Sequence, residues 1–163
     1  MLDRILNKID SSRPFPKAQA HCDIPCGIYD PSAAQIAALT VVRMMDLMAD
    51  LQKGADKDRL EYHNSMSRYI AVKEEHAEKA KHEIRVIWGD YFKKDKHPNV
   101  DELVQKIMQQ GSKCRQSADR EAGTAFVELI NEFAVKFWET KNITTKRAKA
   151  PYGPALELVY PNL

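Results

Sequence analysis

Residues 119–141, DREAGTAFVELINEFAVKFWETK, carry the clearest helical pattern in the chain. Phe126, Ile130, Phe133 and Phe137 recur at three- and four-residue spacing, which places them on one face of a helix. An aromatic stripe of this kind is typical of the buried face of an amphipathic helix. The segment therefore predicts a long helix that contributes its aromatic face to a core.

Three further segments show the same period. The first begins at Asp30-Pro31-Ser32, because a capping Asp and a Pro in the first turn both favour helix initiation, and it runs to about Lys53. The second covers about 58–92. The third begins near Val100, and Gly111 weakens its middle or ends it.

No segment alternates apolar and polar residues for long enough to predict a strand. Four helices with short connections pack most economically as an up-down-up-down bundle. We therefore expect an all-α fold, with a four-helix bundle over residues 32–142 and an N-terminal loop before it.

Both ends of the chain differ from the bundle. Residues 1–20 contain two prolines and end in Ala18-Gln19-Ala20, which resembles a cleavage site, but no apolar run precedes it. We expect a cytosolic pro-segment or a flexible tail rather than a secretory signal. Residues 143–163 are basic and then proline-rich, and we expect them to lie on a surface groove or a neighbouring subunit.

Composition narrows the class of protein. Of the 163 residues, 44% are hydrophobic and 29% charged, which is typical of one globular domain, and no apolar run is long enough to predict a membrane span. Three cysteines are too few for a disulfide framework, so a reducing, cytoplasmic location is expected. The net charge of +2 belongs to the first twenty residues, so the neutral remainder gives no reason to expect nucleic-acid binding.

The segment 21–31, HCDIPCGIYDP, concentrates groups that bind metals. Cys22 and Cys26 are separated by three residues, and no second Cys/His pair follows at zinc-finger spacing. Cys114 is too distant in sequence to complete a four-thiolate site and is predicted to be a small buried residue of the third helix.

Cleavage after Ala20 changes the chemistry of this segment, because His21 then becomes the N-terminus. Its amine, the amide nitrogen of Cys22 and the two thiolates can form a square of two nitrogens and two sulfurs. This donor set favours Ni(II) or Cu(II), and the His21 imidazole can add an axial bond. Pro25 bends the loop before the metal arrives, and Gly27 permits a sharp reversal after it.

The eleven residues resemble the hook motif of nickel superoxide dismutases. Residues 87–93, IWGDYFK, and 137–141, FWETK, are similar to the same family's second and final helices, so the resemblance covers about 21–141. It implies superoxide disproportionation to dioxygen and hydrogen peroxide, a nickel cofactor, a homohexamer and a protease that cuts before His21.

The resemblance also implies roles for individual residues. Nickel would be bound by the amine and imidazole of His21, the amide nitrogen and thiolate of Cys22, and the thiolate of Cys26. Tyr29 and Asp23 would line the substrate pocket as catalytic residues, and the bond before Pro25 would be cis.

Two positions depart from the family pattern. Some members support the axial imidazole with a Glu and an Arg, and the corresponding residues here are Ala37 and His76. Because a histidine ligand usually donates its other nitrogen to an acceptor, His76, Glu74, Glu75 or a backbone carbonyl is expected to take over that role.

Two other interpretations of the segment remain open from the sequence. A nickel carrier could use the same hook without turnover. A plain helical assembly protein could instead hold Cys22 and Cys26 in a disulfide.

Overall fold

The computed structural model describes residues 27–54, 56–97 and 99–163. Within them the predicted four-helix bundle is confirmed, and a short β hairpin follows it. The helices are α1 (Ser32–Gly54), α2 (Leu60–Val86), α3 (Val100–Gln116) and α4 (Arg120–Glu139), and the strands are β1 (Thr145–Lys149) and β2 (Glu157–Pro161). The predicted leader 1–20 and the segment His21–Cys26 lie outside the described residues.

Helix α1 begins where its capping residues predict. The Ser32 backbone N–H donates to Asp30 Oδ1 over 2.8 Å, and the Gln35 N–H donates to the Pro31 carbonyl over 3.1 Å. Among the described helices, α1 alone is long and apolar enough to cross a membrane, but half of its apolar stretch is buried inside the protein. That burial is what a central helix of the bundle requires.

The predicted stripe of α4 forms the centre of the core. Phe126, Ile130, Phe133 and Phe137 are all fully buried. α4 runs antiparallel to α1, so its N-terminal part packs on the C-terminal part of α1. A Cβ atom on Gly123 would lie 2.9 Å from Met45 Sδ and 3.0 Å from Val42 Cγ2, so a larger residue there would force these side chains to shift.

Two details of the helices differ from the sequence prediction. The second helix is α-helical only to Val86 and continues as a π-helical turn over Ile87–Tyr91. The third helix does not weaken at Gly111 but continues to Gln116. At Gly111 the helix packs closely on Lys81, because a Cβ atom would lie 2.8 Å from Lys81 Cδ and would require that side chain to shift.

A buried lysine joins α2 to the end of α3. Lys73 is only 2% exposed, and its ammonium group donates to the carbonyls of Cys114 and Arg115 over 2.6 and 2.7 Å. These carbonyls belong to the last turn of α3, where a positive charge is favourable. Burial lowers the pKa of Lys73, although the charge of Glu74 opposes that shift.

The prediction that the chain contains no strands is wrong for the C-terminal tail. β1 and β2 pair antiparallel, with Arg147 opposite Val159. Neither strand alternates between buried and exposed residues. β1 is almost entirely exposed, and the consecutive residues Leu158 and Val159 of β2 are both buried. The tail lies against the bundle of its own chain, where β2 contacts α4.

Candidate metal centre

The described chain begins immediately after the second predicted thiolate ligand. Gly27 has a φ of +71°, a left-handed conformation that glycine adopts without steric cost. The predicted role of Gly27 in reversing the chain is therefore consistent with its backbone. Ile28 next to it is 79% exposed, so the described chain begins at the protein surface.

Tyr29 is held by aromatic rings at one end of the bundle. Its half-buried ring lies 5.7 Å from that of Tyr91, and the Tyr91 ring lies 5.1 Å from that of Phe137. The π-helical turn after α2 and the last turns of α4 therefore meet beside Tyr29. The sequence predicts a site role for Tyr29 but none for Tyr91, although Tyr91 belongs to the segment 87–93 that resembles the family.

The hydroxyl of Tyr91 has a defined orientation. It lies 2.6 Å from Thr140 Oγ1, and the Thr140 hydroxyl donates to the Phe137 carbonyl over 2.6 Å. Because Thr140 has a single hydroxyl proton, Tyr91 must be the donor of the bond between them. The Tyr91 oxygen can then still accept a hydrogen bond from another group.

The same end of the bundle carries positive charge. Lys141 Nζ lies 4.8 Å from the centre of the Tyr91 ring and 5.1 Å from that of Phe137. Thr140 also borders a cavity of about 310 Å³ whose lining includes Lys96, Lys136 and Glu139. Lys141 therefore places one positive charge beside the rings that pack around Tyr29.

The predicted metal ligands His21, Cys22 and Cys26 lie outside the described residues, as do Asp23 and Pro25 with its predicted cis bond. In the part of the chain that the structure describes, no three His, Cys, Asp or Glu side chains are grouped so that they could hold a metal ion. The donor set of the hook itself, two thiolates with nitrogen donors, suits a square nickel site. These residues therefore fit the metal by their chemistry.

Cys114 is a structural residue, as predicted. It is fully buried, and its thiol lies 3.4 Å from the Ala122 carbonyl at the start of α4. Burial raises its pKa to about 11, so the thiol stays protonated at neutral pH. Ala122 precedes Phe137 by 15 residues on α4. That separation is about 22 Å along the helix axis, so Cys114 lies far from Tyr29.

The structure describes both positions that depart from the family pattern. Ala37 is 1% exposed and forms part of the core. His76 Nδ1 lies 2.9 Å from the Val72 carbonyl of its own helix, which requires a proton on Nδ1 and leaves Nε2 as an acceptor in the neutral ring. Because His21 lies outside the described residues, the support of its imidazole by His76 stays a prediction.

A helical bundle preceded in sequence by a short segment with one histidine and two cysteines is typical of a small helical metalloprotein. The family model described as nickel-containing superoxide dismutase matches residues 16–141. The chain is 36% identical over 131 residues to the superoxide dismutase [Ni] of Streptomyces coelicolor, covering 78% of this chain and 93% of that one. The corresponding protein of Streptomyces seoulensis gives the same identity and coverage.

Solved structures agree with the sequence comparison. The native nickel superoxide dismutase structure superposes with a TM-score of 0.65 at 35% identity, covering 75% of this chain and 99% of that chain. A structure with the nickel ligation of the oxidised state gives a TM-score of 0.64 with the same identity and coverage. The chain belongs to the nickel-containing superoxide dismutase family.

Proposed function

We propose that the processed chain disproportionates superoxide to dioxygen and hydrogen peroxide with a nickel ion held by its N-terminal hook. The observation that carries this function is the sequence HCDIPCGIYDP, which leads directly into α1 in a chain of this family. Nickel, when bound, supplies the one-electron couple between Ni(II) and Ni(III).

The hook residues supply donors that make nickel suitable for this couple. The amine and imidazole of His21, the amide nitrogen and thiolate of Cys22, and the thiolate of Cys26 form the proposed ligand set. Thiolates and a deprotonated amide donate electron density to the metal, which stabilises its higher oxidation state. The α-amine of His21 must be the free N-terminus to bind nickel, so residues 1–20 are a propeptide that a protease removes.

Residues beside the hook bind the substrate and handle protons. Tyr29 presents a phenol next to the hook while its ring is fixed by Tyr91, so its hydroxyl can orient a small anion or a water molecule. Asp23 is the second proposed pocket residue. The positive charge of Lys141 beside the same rings attracts superoxide.

The assembly and location are proposed from the family and from composition. A homohexamer is the expected assembly for a member of this family. A cytoplasmic location agrees with the small number of cysteines and with thiolate ligands that must stay reduced.

Redox turnover distinguishes an enzyme from a nickel carrier. The chain that begins at His21, loaded with one nickel ion, should remove superoxide catalytically and show the paramagnetic signal of Ni(III). Electron paramagnetic resonance and a superoxide-decay assay on the same sample measure both properties. Stoichiometric nickel without signal or activity would assign the hook to a carrier.

Substitution of Tyr29 by Phe tests the pocket role. The ring contact with Tyr91 should remain, so we expect unchanged nickel content and a melting temperature close to that of the native chain. The loss of one hydrogen bond to the substrate or its water should lower kcat/KM by about tenfold or less. Steady-state superoxide decay measures the change, and activity equal to the native value would remove Tyr29 from the catalytic residues.

A further inference from the structure

The C-terminal hairpin lies beyond the part of the chain that the family accounts for. The family match ends at residue 141, and β1 begins at Thr145. The hairpin is nevertheless anchored in the bundle, because Leu158 and Val159 are each only 2% exposed. Its position relative to the hook can be traced through hydrogen bonds.

The register of the hairpin decides which backbone groups face the bundle. Asn162 N–H donates to the Thr144 carbonyl, and Ala150 N–H donates to the Leu156 carbonyl. In an antiparallel pair the bonded positions alternate, so the even-numbered residues bond across the hairpin. The backbone groups of Glu157 and Val159 therefore point away from β1.

Two side-chain amides bind this outer edge of β2. Asn131 of α4 is fully buried, and its Oδ1 accepts the Val159 N–H over 3.1 Å while its Nδ2 donates to the Glu157 carbonyl over 2.9 Å. Gln35 Nε2 donates to the Val159 carbonyl over 2.9 Å and to Asn131 Oδ1 over 3.0 Å. The edge of β2 thus pairs with two helices instead of with a third strand.

Gln35 connects this edge to the hook. It lies in the first turn of α1 and is only 4% exposed. Its backbone N–H donates to the carbonyl of Pro31, the last residue of the hook motif, while its side chain binds β2. A single residue therefore bonds to both the hook and the hairpin.

We propose that the C-terminal hairpin is a positioning element for the nickel hook and that Gln35 couples the two. The hairpin holds the first turn of α1, and that turn fixes where the hook leaves the bundle. Linkage is reciprocal, so nickel binding at the hook also stabilises the hairpin. The inference rests on the proposed nickel ligands His21, Cys22 and Cys26.

The variant Gln35→Met cuts this connection selectively. Methionine is an unbranched helix former of similar length, and Asn131 keeps its two bonds to β2. Arg147→Gln is the matched control. It removes the exposed ion pair between Arg147 of the hairpin and Glu128 of α4, and it leaves α1 untouched.

Hydrogen exchange measured by NMR on the processed full chain, with and without nickel, tests the coupling. The reporters are the cross-strand amides of Lys146, Ala148, Leu158 and Tyr160. Nickel should slow their exchange about fivefold or more in the native chain and in Arg147→Gln, but less than about twofold in Gln35→Met. In the metal-free state, Gln35→Met alone should exchange these amides faster.

Equal slowing by nickel in the native chain and in Gln35→Met would overturn the coupling, and so would the absence of slowing in a nickel-loaded native chain. Metal analysis of the same samples separates this result from a failure of the proposed ligands. If the native chain binds no nickel, the ligand set is wrong. The metal-free comparison of Gln35→Met with Arg147→Gln then decides whether the hairpin holds the first turn of α1.

Discussion

Replacement of Cys22 by Ser should abolish stoichiometric nickel binding, the Ni(III) signal and superoxide removal together. Cys22 is proposed to supply two of the donors, a thiolate and an amide nitrogen that share one chelate ring. A serine hydroxyl is not deprotonated at neutral pH and is a poor ligand for nickel compared with a thiolate. Metal analysis, electron paramagnetic resonance and superoxide decay on one preparation measure the three losses.

Cys114→Ser is the matched control for this substitution. It changes the same atom at a buried position near the opposite end of α4, where a serine hydroxyl can still donate to the Ala122 carbonyl. Nickel content and activity should stay within about twofold of the native values. A substitution that shares no contacts with a distant site usually changes the properties of that site by no more than this. Loss of nickel in Cys114→Ser but not in Cys22→Ser would place the metal elsewhere.

Cys22→Ser also separates the hook from a structural disulfide. If Cys22 and Cys26 formed a disulfide, the substitution would lower stability and expose one free thiol, and the native chain would contain no nickel. If the two cysteines are instead nickel ligands, the native metal-free chain presents two reactive thiols. Cys114 stays unreactive until the protein unfolds, because its pKa is raised to about 11 by burial.

The bundle can be predicted because the apolar spacing and the capping residues that define its helices lie within the helical segments themselves. The spacing of Phe126, Ile130, Phe133 and Phe137 defines a face that must be buried, and all four residues are buried. The start of α1 at Asp30-Pro31-Ser32 follows from local capping chemistry, and the cap is formed. Such features depend on residues close in sequence, so a single sequence contains them.

Features that depend on distant residues were harder to predict. Asn131 and Gln35 bind the outer edge of β2, and no local pattern reveals that two amides from separate helices will meet there. The position of Tyr91 beside Tyr29 likewise follows from the π-helical turn, which has no simple sequence signature.

The hook was the most informative part of the sequence for a different reason. Its residues are recognisable by chemistry and order, since two thiols, an imidazole and a proline occur within 21–26. The described structure contributes the surroundings: the left-handed backbone of Gly27, the ring contact of Tyr29 and the positive charge of Lys141.

Retention of residues 1–20 should have an effect as large as the loss of a thiolate. In the uncut chain the nitrogen of His21 is part of a peptide bond, so it cannot supply the basic amine of the proposed ligand set. Loss of a direct ligand should cost more than the 10- to 100-fold that removal of an outer partner costs, so affinity and activity should fall by at least about 100-fold.

A chain with one extra glycine before His21 is the sharpest control for this prediction. It lacks the bulk of residues 1–20 and keeps every side chain of the hook, but it moves the free amine away from His21. We expect it to behave like the uncut chain. Native activity in this variant would show that the leader blocks the site by its size and not by occupying the amine.

The central claim is that the nickel site is complete only when His21 is the N-terminus. Intact mass spectrometry combined with metal analysis and superoxide decay, applied to the cut and uncut chains side by side, tests it most directly. The account predicts one nickel ion and full activity in the chain that begins at His21, and neither in the uncut chain. Stoichiometric nickel with full activity in the uncut chain would contradict it.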